Sequence, residues 1–111
     1  MGPIDFNGID TAVHGPIRLG VLTALQMDGA IDFTTLRKRL AVADGALGLH
    51  LRNLEETGYV DCKKAFVGRR PKSTYRITRA GRTALRNYLA QMQRLIDAID
   101  ERQGNQSTRI G

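Results

Sequence analysis

The 111-residue sequence has one cysteine, no tryptophan and only 5% aromatic residues, and its 11 acidic side chains face 17 lysines and arginines. The single thiol, Cys62, excludes an intramolecular disulfide framework. With His14 and His50 as the only histidines, no four-ligand zinc set of Cys and His can be assembled. This cysteine usage points to a reducing, cytoplasmic setting. No apolar run is long enough to span a bilayer, because Gly, Arg, Asp or Gln interrupts each one. The opening MGPIDFNGID carries acids instead of a basic cap and an apolar run, so it does not read as a signal peptide. Catalytic groups are scarce as well. Ser73 and Ser107 are the only serines, and neither has a context that would activate it. The phosphate-cradling pattern GxxxxGK[ST] and the pattern GxGxxG are both missing. Glu55 and Glu56 are neighbours that point in different directions on a helix, a solubility pattern more than an acid–base pair. The chain therefore reads as a non-enzyme without cofactor or metal.

What is present is one domain's worth of apolar periodicity. Residues 1–15 read as an arm ending in a short amphipathic turn. Pro16 then opens a helix closed by Asp28-Gly29. That helix is apolar nearly all round, which requires cover on two sides, the second supplied by a partner subunit. Ile31-Asp32 is an extended link, followed by a short amphipathic helix, FTTLRKRLA, that buries Phe33, Leu36 and Leu40. Asp44 is the expected N-cap of a third helix running to Gly58, with Leu47, Leu51 and Leu54 as its buried stripe. The runs YVDCKKAFV and STYRIT, separated by Gly68-Arg69-Arg70-Pro71-Lys72, predict a β-hairpin with a basic tip. Thr78 caps a long helix to Arg102, in which Leu85, Tyr88, Met92, Leu95 and Ile99 recur at spacings of three and four, widened by Leu89 and Ile96. Residues 103–111 read as a disordered tail. The expected fold class is α+β and mainly helical, with a winged helix-turn-helix over 16–77 and a dimerisation helix over 78–102.

The open face of the third helix is the candidate reader of a major groove, which is roughly 12 Å wide. Arg52 and Asn53 are its donors for base edges, and the small residues Gly45, Ala46 and Gly48 allow close backbone approach. The same residues also suit a solvated helix face. The charge distribution separates the two readings. From Phe66 to Ile96 the sequence has Arg69, Arg70, Lys72, Arg76, Arg79, Arg82, Arg86 and Arg94 and no acid. Such a one-signed surface calls for an anionic partner, most commonly a phosphate backbone. Arg69, Arg70 and Lys72 at the hairpin tip reach for phosphates or a minor groove. Arg37, Lys38 and Arg39 on the second helix, with Thr34 and Thr35 at its N-terminus, are placed to hold the DNA backbone, Thr34, Thr35 and Lys38 foremost, and suit a wet helix face equally well. Phe33 and Phe66 are assigned to the core, which argues against single-strand RNA recognition by stacking.

The stretch from FTTLRKRLAVADG through LHLRNLEETGYV to GRRPKSTYRITRAGRTAL resembles the winged-helix transcriptional regulators related to the MarR and ArsR groups, over about Pro16 to Tyr88. The resemblance implies double-stranded DNA as partner, recognition contacts at Ala46, Gly48, Leu49, Arg52 and Asn53, and wing contacts at Arg69, Arg70 and Lys72. It also implies a homodimer. Gly48 departs from the pattern, because many relatives carry a hydroxyl residue there. The apolar stripes predict an interface of Leu19, Leu22, Leu85, Tyr88, Leu89, Met92, Leu95, Ile96 and Ile99. The resulting reading is a homodimeric repressor on a pseudo-palindromic operator, open to a small-molecule effector. The alternatives are a winged-helix protein-interaction module and a non-specific, chromatin-type DNA binder.

Overall fold

A computed structural model describes the backbone of residues 9–110 and the side chains of residues 9–103. Four helices and three short strands follow in the order α1 (Pro16–Asp28), β1 (Ile31–Asp32), α2 (Phe33–Leu40), α3 (Asp44–Thr57), β2 (Val60–Val67), β3 (Arg70–Ile77) and α4 (Arg79–Ile110). The sheet is antiparallel with order β1-β3-β2. Its core-facing residues Ile31, Val60, Tyr75 and Ile77 close over α1 to α3. Leu22, Leu25, Leu36, Leu47, Leu51 and Leu54 are all buried to 1% exposure or less, so one leucine-rich core holds the three helices together.

Local chemistry fixes the boundaries. Pro16 occupies the first turn of α1, where a missing N–H costs nothing. Asp32 caps α2, accepting from the Thr35 amide at 3.2 Å and the Thr35 hydroxyl at 2.6 Å. Helix α2 ends at Ala41, which adopts a left-handed φ of 53° with the Val42 amide turned back to the Arg37 carbonyl. Helix α3 ends the same way at Gly58, whose φ is 86°. The expected Asp44 cap is displaced by one residue. Ala43 is the N-cap and Asp44 is the first helical residue, because its carboxylate is drawn 3.0 Å from Arg37 Nε and not over its own helix end.

The hairpin turns on Gly68 and Arg69. Of these only Gly68 has positive φ, at 65°, as a two-residue hairpin with glycine first requires. Pro71 lies inside β3, the central strand. Its neighbour β1 pairs only Ile31 with Tyr75 and Asp32 with Thr74. Since Val67↔Arg70 closes the hairpin, Phe66↔Pro71 is a pair without mutual hydrogen bonds, so the proline forfeits no ladder bond.

The sheet, α3 and α4 meet in one clasp. Thr78 Oγ1 donates to the Gly58 carbonyl at 2.7 Å and accepts from the Gly81 amide at 3.0 Å, while the Thr78 amide donates to the Tyr59 carbonyl at 3.0 Å. A Cβ on Gly81 would fall 2.2 Å from the Tyr59 oxygen, so only glycine permits this approach. The turn before α1 is also docked. Val13 is fully buried, Tyr59 Oη donates to Asp10 at 2.5 Å, and His14 Nδ1 lies 3.0 Å from Tyr88 Oη.

Three further expectations change. Helix α4 passes its expected end at Arg102 and runs to Ile110; no proline interrupts the stretch, and the lone Gly104 costs a growing helix only about 1 kcal/mol. Leu22, Leu85 and Tyr88, expected in a dimer interface, belong to the chain's own core because α1 and α4 pack against each other. Phe66, expected in the core, is 74% exposed, since β2 outruns the helices beneath it. Residues 1–8 of the expected arm and Gly111 lie outside the described residues.

Candidate nucleic-acid interface

The second and third helices form the helix-turn-helix, and their junction is held by charge. Arg37, in the last turn of α2, pairs with Asp44 in the first turn of α3, where an acid also complements the helix dipole. Arg39 pairs with Asp28 at the end of α1. Two of the three consecutive cations on α2 are therefore joints within the fold. Lys38 alone is exposed and forms no ion pair among the described residues. Thr34 is exposed beside it. Thr35 is committed to Asp32, and its hydroxyl, followed by its amide and the charge of Lys72, holds the Asp32 carboxyl below the usual value of 3.8 against the opposing effect of desolvation. That carboxylate occupies the N-terminus of α2, so a phosphate there would meet a negative charge.

Helix α3 turns Leu47, Leu51 and Leu54 into the core. At 100° per residue Gly45, Leu49, Arg52 and Glu56 fall in line on the opposite side. Leu49 is 54% exposed, and the other three are exposed as well. A Cβ on Gly45 or Gly48 would meet nothing within 4 Å, so both glycines border open space where backbone can be approached. Ala46 and Gly48 are half-buried flanks of this face. Asn53 turns to the same flank as Ala46, where it lines a hollow with Thr11, Ala12, Arg18, Glu56 and Thr57. Arg52 is thus the one cation on the open face of α3. His50 is half-buried, and its Nδ1 finds no hydrogen-bond partner among the described residues.

At the hairpin Arg69, Arg70 and Lys72 are exposed and form no salt bridge among the described residues, as are Lys63 and Lys64 on its outgoing strand. Glu56, Lys63, Lys64 and the exposed ring of Phe66 also border this surface, beyond the residues expected there. Glu56 was visible as the continuation of the 45, 49, 52 series, and the two lysines as part of YVDCKKAFV. Nothing in the local pattern separates an exposed Phe66 from a buried one.

At the base of the hairpin two phenols are held protonated. Burial, and then a hydrogen bond with the Cys62 thiol, pushes Tyr75 up to about 12. The bond to Asp10 does the same for Tyr59, also up to about 12. No three His, Cys, Asp or Glu side chains among the described residues group to hold a metal, and no described helix is long and apolar enough to cross a membrane.

A helix-turn-helix with an exposed third helix, joined to a basic hairpin, defines the class, and comparison with known proteins agrees. The chain belongs to the winged helix DNA-binding domain family, whose model matches residues 17–96. It is 34% identical over 84 residues to an uncharacterized protein of Methanocaldococcus jannaschii, covering 76% of this chain and 91% of that one. Among solved structures, a transcriptional regulator homologue from Pyrococcus horikoshii OT3 aligns with TM-score 0.74 and 29% identity over 80% of this chain and 88% of its own. A PadR family transcriptional regulator from Eggerthella lenta DSM 2243 aligns with TM-score 0.63 and 28% identity over 73% and 78%. MarR-family regulators share the fold.

Proposed function

We propose that the protein is a homodimeric, sequence-specific transcriptional regulator that lays α3 in the major groove of double-stranded DNA and represses by occupying a promoter. The observation that carries this reading is the pairing of cations. Those that join helices are neutralised by Asp28 and Asp44, whereas Arg52 on α3 and Arg69, Arg70 and Lys72 on the hairpin are left open to solvent. In this arrangement Arg52 pairs with guanine O6 and N7, Gly45, Ala46 and Gly48 admit the groove edge, and Leu49 packs on a thymine methyl. The wing cations and Lys38 hold phosphates and set the register.

Dimerisation is supported by the shape of the chain. Its radius of gyration is 18.0 Å, against about 13 Å for a compact domain of this length, because α4 projects from the head. Leu89, Ile96 and Ile99 on the projecting part are 51%, 49% and 56% exposed, and the half-buried Met92 and Leu95 lie between them. Two copies joined there, with Leu19 and Met27 of α1 alongside, would set two reading helices about 34–36 Å apart on a pseudo-palindromic site. A small-molecule effector fits the open groove of about 900 Å³ along α4 between Arg79, Asn87 and Arg94, from which it would alter the angle between the heads.

Fluorescence polarisation against a random duplex pool and against duplexes from the upstream region, across a salt series, tests the reading. Tight binding to an upstream duplex with a steep negative salt slope is expected. Equal affinity for every duplex would leave a non-specific, chromatin-type binder. Absence of binding at low salt would leave the fold as a protein-interaction module.

A further inference from the structure

The hairpin displays an aromatic ring where its charge is greatest. Phe66 is 74% exposed and the adjacent Val67 is 62% exposed. The strand register gives Phe66 a direction. Along β2 and β3 the pairs Val60↔Ile77, Cys62↔Tyr75, Lys64↔Ser73 and Phe66↔Pro71 share one face of the ribbon, and the first two pairs lie against the helical core. Phe66 therefore continues the face that looks toward the helices, α3 among them, about 13 Å beyond Cys62 at the usual strand rise. A duplex read by α3 lies on that side of the sheet. Pro71 across the ribbon stiffens the strand at this level.

The surroundings select the partner. Lys64 shares the ring's face and Arg69 stands at the turn beyond it, while Lys63, Arg70 and Lys72 line the opposite face of the same ribbon, and no acid follows Asp61 until Asp97. A ring set among unpaired cations complements a polyanion with an apolar interior, and stacked bases behind phosphates are such a surface.

We propose that Phe66, backed by Pro71, is a wedge that inserts at a base step in the minor groove beside the site read by α3 and bends the duplex. Specificity then includes the deformability of a step that no hydrogen-bonding side chain touches. The inference rests on the DNA-binding reading above. It adds a second reading element, with a preference for the easily unstacked TA and CA/TG steps.

The chain has no tryptophan, so Phe66→Trp creates a single emitter at the wedge. Duplexes bound by the wild-type protein are end-labelled for energy transfer, and the step under the wing is varied. The expected result is a shortened end-to-end distance with wild type, quenching of the Phe66→Trp emission on binding, and roughly tenfold tighter binding to a TA step than to a GC step. Phe66→Ala is expected to keep the wild-type melting temperature and salt slope while losing both the bend and the step preference. Wild-type bending by Phe66→Ala, or unquenched Phe66→Trp emission in a tight complex, overturns the wedge and leaves the DNA reading standing. Failure of wild type to bind any duplex overturns both. A blue shift of the Phe66→Trp emission on phosphatidylserine vesicles, without quenching by duplex, overturns the wedge and assigns the tip to an anionic lipid surface.

Discussion

Two stretches of this chain look alike in sequence and differ in the folded molecule. Arg37, Lys38 and Arg39 on α2 and Arg69, Arg70 and Lys72 on the hairpin are both dense basic clusters. On α2 the acids that neutralise the cluster come from other elements, Asp28 from α1 and Asp44 from α3, and the arginines become joints between helices. The hairpin stands clear of the core and no acid follows it until Asp97; Lys72 feels Asp32 at a distance, but none of its cations forms a salt bridge among the described residues, and Arg69 and Arg70 stay open to a partner. A basic run is therefore informative only together with the acids its neighbours bring. The lesson extends to Thr35, whose hydroxyl is already held by Asp32.

The sharpest way to break the contrast is to dismount the hairpin. Gly81→Ala drives a Cβ into the Tyr59 carbonyl and should cost about 3 kcal/mol, as overpacking does, lowering the thermal midpoint by more than about 10 °C with loss of DNA binding as a consequence. Charge reversal at Arg69→Glu/Arg70→Glu should separate function from fold. DNA affinity should fall by more than about 100-fold for all sequences, with an unchanged melting curve. The mirror experiment is Arg37→Ala. It removes a partly exposed ion pair worth about 0.5 kcal/mol, so it should shift the midpoint by a few degrees and leave the salt slope of DNA binding nearly intact. Lys38→Ala, on the same helix, should do the reverse, lowering the salt slope by about 0.9 without touching stability. Gly48→Ala should stabilise α3 by about 0.5–1 kcal/mol in unfolding experiments, since its Cβ enters open space, yet weaken DNA binding where groove and backbone approach.

One prediction concerns the base of the hairpin alone. Tyr59 and Tyr75 have folded values raised to about 12, so the folded state holds protons that the unfolded chain releases near 10. Their stabilisation is complete below pH 10 and is lost as pH rises from 10 to 12. Tyr59→Phe should make unfolding measurably less pH-dependent across that window and cost about 1 kcal/mol at neutral pH through the lost Asp10 bond.

Much of the scaffold was legible because it is written in short-range chemistry. Pro16, Gly58 and Thr78 mark helix ends by backbone requirements that hold in any context, and the spacing of Leu47, Leu51 and Leu54 fixes which side of α3 is buried. The open face followed by subtraction, including Arg52 and Leu49. Other features depended on what lay across the fold. Asp44 looked like a cap because aspartate favours that position, but Arg37 was three-dimensionally close enough to claim it. Leu85 and Tyr88 continue the same stripe as Met92 and Leu95. Only the packing of α4 on α1 decides that the first two are core while Leu89, Ile96 and Ile99 remain uncovered. Asn53, adjacent in sequence to Arg52, faces a different hollow because one residue is 100° of rotation.

Sequence alone determined the order of elements, the ends marked by Pro16, Gly58 and Thr78, the buried stripe of α3 and the sign of the surface charge. Each of these is set by neighbours within about one helical turn or one strand pair. Tertiary structure decided which charges are spent in joints, which apolar residues remain exposed, and that Phe66 stands in water beside the wing's cations. Those outcomes depend on contacts between residues far apart in the chain, and a local pattern carries no information about what the opposite side of the fold supplies.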